Sequence, residues 1–168
     1  MDGSILCGVD ESASALGAAQ VARGLSRALG LTLVFVSVVD VASTDATKDA
    51  IAERLAQLTA GAGESPSRAR WLLEVGHPAD RLLAAAADTQ ASMIVVGSHG
   101  PRSSLLGSIS AEVSRRAGCP VVVVPPGAED SLDERRVIPG DGDREAHAGY
   151  TVTSAGGIVR FDLAAHQA

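Results

Sequence analysis

Short aliphatic runs alternate along this chain with longer stretches whose apolar positions recur every three or four residues. The first run covers residues 4–9 and is ended by Asp10. Beyond it, Ala18, Val21, Ala22, Leu25 and Leu29 fall on one helical face, with Gln20, Arg23 and Arg27 opposite. Ser12 stands where an N-cap belongs, and Gly30 where a helix terminator belongs. Residues 31–39 are apolar almost throughout, as a strand buried on both faces is. A second helix is predicted over 46–60, with Ile51, Leu55 and Leu58 on one side, before Gly61, Gly63, Ser65 and Pro66 break it. Residues 70–75 predict a third strand and Gly76-His77-Pro78 a turn. Pro78 opens a helix running to about Gln90, because a missing N–H costs nothing in the first turn. Residues 93–96 form a fourth strand, followed by a loop from Gly97 and a helix over about 108–117 that Gly118 and Pro120 end. Val121–Val124 is the fifth strand, closed by Pro125 and Pro126.

Strand and helix thus alternate about five times. That order predicts an open parallel α/β sheet with helices on both faces and right-handed crossovers. After Pro126 the pattern stops. Residues 127–148 are rich in Asp, Glu, Arg and Gly without an apolar period, as a linker or tail is. Residues 150–163 then predict a β-hairpin around Gly156-Gly157, with an unstructured end as the alternative. The expected organisation is one α/β domain over 1–126 and a tail over 127–168.

The composition narrows the function classes. The chain has 168 residues, enough for one domain with a core, and only 2% are aromatic, so that core is aliphatic. Net charge is −6, Lys48 is the one lysine, and no basic stripe interleaves with aromatics, which counts against nucleic acid as a partner. No signal-peptide pattern and no run of about 20 apolar residues occurs, so a cytoplasmic protein without a membrane span is expected. Cys7 and Cys119 lie in or beside apolar runs without metal-site spacing and are expected to be small buried hydrophobes.

In open parallel sheets, ligands bind beyond the carboxyl ends of the strands. Those ends lead to Asp10, Asp40, Gly76-His77 and Gly97-Ser98-His99-Gly100. The fourth loop carries most of the signal. Glycines at both ends allow backbone to approach a ligand, and Gly107-Ser108 opens a helix whose N–H groups favour a phosphate. The alternative is that these glycines only make a tight turn. A Walker A loop is excluded because Lys48 stands nowhere near one, and a dinucleotide fingerprint is excluded by Val9-Asp10-Glu11-Ser12. A phospho-receiver would need a lysine where Pro125-Pro126 stands. No nucleophile–base set and no metal-ligand spacing is recognised; His99, His77, His147 and His166 are expected to be loop, turn and tail residues, and Trp71 to pack under a helix.

Four segments resemble the universal stress protein family in order and spacing across about residues 3–126. They are Ile5-Leu-Cys-Gly-Val-Asp10-Glu-Ser12, Gly76-His-Pro-Ala79 with Leu82-Leu83, Ile94-Val-Val-Gly-Ser-His-Gly100 with Leu106-Gly107-Ser108, and Cys119-Pro-Val-Val-Val-Val124. The resemblance implies a five-stranded sheet of order 3-2-1-4-5 and a homodimer through the last strand. It implies an adenine-nucleotide site in which Gly97, Gly100, Gly107 and Ser108 hold phosphates with the Ile109 amide, Asp10 faces the ribose near Gly8 and Val9, and Val38 and Val96 border adenine. ATP, with Mg²⁺, is the implied ligand. Two departures stand out. Six residues separate Gly100 from Gly107 where the family's ATP pattern has nine, which removes roughly 10 Å of extended reach. Glu11 replaces the usual glycine after Asp10. The leading expectation is a nucleotide-responsive stress-response module without turnover. The alternatives are a dimeric scaffold that binds no nucleotide and a slow ATPase.

Overall fold

The computed structural model describes residues 3–60, 68–98 and 107–126, and the backbone of 150–154 and 157–161. The elements in chain order are β1 (Ser4–Gly8), α1 (Ala13–Leu29), β2 (Thr32–Val39), α2 (Asp45–Ala60), β3 (Ala69–Val75), α3 (Pro78–Asp88), β4 (Ala91–Gly97), α4 (Ser108–Arg116), β5 (Val121–Val124), β6 (Tyr150–Ser154) and β7 (Gly157–Phe161). Strands β1 to β5 are parallel in the order 3-2-1-4-5 with four helices, the fold the sequence predicts. The hairpin β6–β7 continues the sheet, β6 running antiparallel to β5 with Val122 opposite Val152.

The local chemistry explains the helix ends. Ser12 caps α1, its hydroxyl accepting from the Ala15 N–H at 3.2 Å. Gly30 ends that helix at φ 68°, a left-handed backbone that costs glycine nothing. Pro78 occupies the first turn of α3.

Side chains alternate across the sheet and build two cores. Ile5, Cys7, Leu33, Phe35 and Val95 pack with α1 and α2 on one face. Leu6, Val34, Val36, Ile94, Val121 and Val123 pack with α3 and α4 on the other. Burying each such Leu or Val contributes about 1.5–3 kcal/mol, so the aliphatic strands suffice without aromatic bulk. Cys7 is fully buried, and desolvation pushes its thiol up to about 12; Cys119 is half-buried.

Three expectations need correction. Trp71, expected under a helix, lies on the outer strand β3 and keeps 37% of its surface exposed. Leu29, placed on the inner face of α1, is 53% exposed at its last turn. Arg23, placed on the polar face, turns inward: its guanidinium donates to the Leu58 carbonyl at 2.5 Å and lies 5.5 Å from the Phe35 ring centroid. It joins α1 to α2 with a cation–π contact that a binary apolar/polar pattern does not register.

Candidate functional site

The strand order fixes where a ligand fits. β1 is central; the chain passes from it to β2 and β3 on one side and to β4 and β5 on the other. A crevice opens beyond the carboxyl ends of β1 and β4, at the point where the order reverses. A cavity of about 650 Å³ lies there.

Its walls come from three strand ends and three helix starts. Gly8, Val9 and Asp10 leave β1, Val38 lies at the end of β2, and Val96 and Gly97 end β4. Gly107, Ser108 and Ile109 open α4. Nine of the ten residues singled out in the sequence therefore line one cavity; the tenth, Gly100, lies outside the described residues, as do His99 and Arg102. The sequence did not single out Ala15, Val36, Pro78 and Leu82 as lining residues. Pro78 and Leu82 are four apart on α3, so one turn presents both; that spacing, beside the Gly76 turn, was the available signal.

Two glycines have steric explanations. A Cβ at Gly97 would sit 2.8 Å from the backbone carbonyl of Ser14, so the first turn of α1 rests directly on the end of β4. A Cβ at Gly8 would meet Leu82 and Val96 at 3.2–3.3 Å.

The helix starts differ in what their N–H groups already do. α1 is capped by its own Ser12. α4 begins at Gly107 with no side-chain cap, and its first backbone bond is Ala111 N–H to the Gly107 carbonyl at 2.9 Å. The amides of Ser108, Ile109 and Ser110 precede that bond, and with the helix dipole they favour an anion. Asp10 is the one ionisable side chain among the described lining residues. Its carboxylate accepts from the Ser12 N–H at 2.9 Å and from the Ser12 hydroxyl, which in turn lies 3.1 Å from the Ser14 hydroxyl. Asp10 is thereby fixed at the cavity edge.

A cluster of His77, Asp80 and Glu112 lies where α3 meets α4, its ligand atoms within 4.8 Å of one another. Arg116 stands between the carboxylates, 2.7 Å from Asp80 and 2.7 Å from Glu112. Its guanidinium already pairs with both, and the hydrogen bond from Arg116 holds the Asp80 carboxyl below its ordinary value.

Fold and site together define a doubly wound α/β protein with a cavity at its switch point. The family model described as the universal stress protein family matches residues 1–125, and the chain belongs to that family. The universal stress protein UspA from Lactobacillus plantarum is 21% identical with a TM-score of 0.64, over 73% of this chain and 97% of that one. A universal stress protein in complex with cAMP is 24% identical with a TM-score of 0.60, over 74% and 97%. The universal stress protein from Archaeoglobus fulgidus in complex with dAMP is 21% identical with a TM-score of 0.59, over 73% and 97%. These likenesses concern the fold. No curated protein matches the chain. Among the described residues no helix is long and apolar enough to cross a membrane.

Proposed function

We propose that this chain is a stress-response module that binds an adenine nucleotide, ATP in the first instance, in the cavity between β1 and β4 and does not turn it over. The observation that carries this is the convergence of the strand-end residues Gly8–Asp10, Val38 and Val96–Gly97 with the uncapped start of α4 around one cavity. The Val38 and Val96 walls suit a purine face, Asp10 a ribose hydroxyl, and the Ser108–Ser110 amides a phosphate. Two structural neighbours hold cAMP and dAMP, which agrees with an adenine nucleotide. Binding without turnover is favoured because Asp10, the one ionisable group among the described lining residues, is already committed to Ser12. Mg²⁺ would be a companion of the phosphates, held by phosphate oxygens and water rather than by Asp10, which is committed to Ser12; it would neutralise phosphate charge. The loop shortened between Gly100 and Gly107 is compatible with one phosphate seated on α4 and leaves less chain to wrap the others.

Calorimetric titration with ATP, ADP and AMP, with and without Mg²⁺, tests the proposal. Saturable binding is expected, and Gly107→Val should weaken it about tenfold or more by placing a branched side chain at the phosphate seat. Circular dichroism checks that the variant stays folded. No heat at millimolar concentrations of any of the three would favour the nucleotide-free scaffold instead. Phosphate release above background that Asp10→Asn abolishes would establish the slow ATPase.

A further inference from the structure

Strand β3 ends the sheet, and among the described residues β2 is its one strand neighbour. The backbone shows which of its polar groups are left over. The Arg68 carbonyl accepts from the Leu33 N–H at 2.8 Å, and the Gly76 N–H donates to the Val39 carbonyl at 2.9 Å. Between them, Ala69 to Val75 pair with β2 without a register shift. In a strand the N–H and C=O of one residue point the same way, and the direction alternates from residue to residue. Arg70, Leu72 and Glu74 therefore bond to β2. Ala69, Trp71, Leu73 and Val75 turn their N–H and C=O to the open edge, which is a template for a further strand.

The side chains select that strand. Leu72 packs toward the core under α3 and α4, and Leu73 toward the core under α1 and α2. Arg70, Leu72 and Glu74 thus share one face, with Trp71 and Leu73 on the other. Neither Arg70 nor Glu74 forms an ion pair with a described residue. A second β3 laid antiparallel about a two-fold axis at Leu72 sets Arg70 of each copy opposite Glu74 of the other, on the same face. Trp71 then opposes Leu73 and Ala69 opposes Val75, which are the residues with outward N–H and C=O. Arg70 and Glu74 fall in the non-hydrogen-bonded positions, where opposing side chains come closest. Centring on Trp71 would set Arg70 against Leu72, and centring on Leu73 would set Glu74 against Leu72. Parallel pairing would bring Arg70 beside Arg70 and Glu74 beside Glu74. Edge charges ordinarily deter association; these deter the alternatives and admit one arrangement.

We propose that β3 is a self-docking edge, through which two copies of this chain join antiparallel, centred on Leu72, into one continuous sheet. The contact uses the flank opposite β5, and no residue of β3 lines the cavity between β1 and β4, so it stands apart from the nucleotide proposal. One strand pair makes a small interface, so the dimer is of the weak, concentration-dependent kind.

The test is sedimentation velocity on the full chain from ~1 to ~200 µM, over which the mass should rise from monomer toward dimer. Glu74→Arg sets like charges opposite each other and should weaken association about tenfold or more. Adding Arg70→Glu to that variant exchanges the signs and should restore most of the affinity. Circular dichroism checks that both variants stay folded. Amide exchange followed by NMR locates the contact: the Trp71 and Leu73 N–H groups should slow at the high concentration, and the Leu72 N–H, already bonded to β2, should change less. A monomer at every concentration overturns the proposal. So does a dimer that Glu74→Arg leaves as tight, a double variant that stays monomeric, or a dimer that forms without slowing Trp71 and Leu73.

Discussion

Gly97 illustrates how one residue ties packing to the site. Its Cα faces the Ser14 carbonyl so closely that a Cβ would lie 2.8 Å from backbone atoms. No rotamer change relieves a backbone contact, so Gly97→Ala must push the first turn of α1 away from β4. The expected cost is about 1–3 kcal/mol, read as a lower urea midpoint with an unchanged slope. The displaced turn carries Ser12, which holds Asp10, so the substitution should disturb the cavity edge as well. From the sequence this glycine was legible as necessary but its reason was not: a loop glycine signals close approach, and whether to a ligand or to a neighbouring helix is decided by the fold. Arg23 shows the converse. Its charge assigns it to solvent, while its long stem reaches the Phe35 ring and the Leu58 carbonyl.

Among the elements, strands and helices were legible because their apolar periods differ, and five of the strands fall where the pattern places them. The edges were less so. β4 extends to Ala91–Gly97 beyond the apolar core of residues 93–96, because Ala91 pairs with Ser4 through backbone groups that carry no side-chain signal. The contact of α3 with α4 was not legible at all, since its parts lie far apart in the chain. Arg116 of α4 bonds Asp80 at the start of α3, and Pro78 and Ser108 of the same helices line the cavity between β1 and β4. The hydrogen bond from Arg116 is the first cause lowering the Asp80 carboxyl from its ordinary 3.8. A carboxyl lowered in the folded state stabilises it above the ordinary value, and the benefit is lost as pH falls through the lowered value. Asp80→Asn should therefore melt below the parent chain near neutral pH, with the gap closing as acidification carries the pH below the ordinary value of 3.8. The pair is exposed, so the gap will be small and will shrink with added salt.

For the whole molecule, the sheet's open flank matters most. Val121–Val124 are all buried, and β6 occupies the edge of β5 that would otherwise be free to pair. A homodimer through β5 would require β6 to leave that edge or to cross to the other subunit. Removing residues 127–168 should uncover the strand, raise the apparent mass on light scattering and lower the melting temperature; an unchanged mass and melting temperature would show that the hairpin plays no part in covering it. The opposite flank has a different consequence. Trp71 is the only tryptophan of the chain and sits on the outermost strand β3, two strands from β1 at about 4.8 Å per strand. Its half-wetted indole makes the protein's intrinsic fluorescence a gauge of that rim. Emission should shift when β3 frays while hardly responding to an occupant between β1 and β4, so the chain carries a built-in optical label for the β3 border of its sheet.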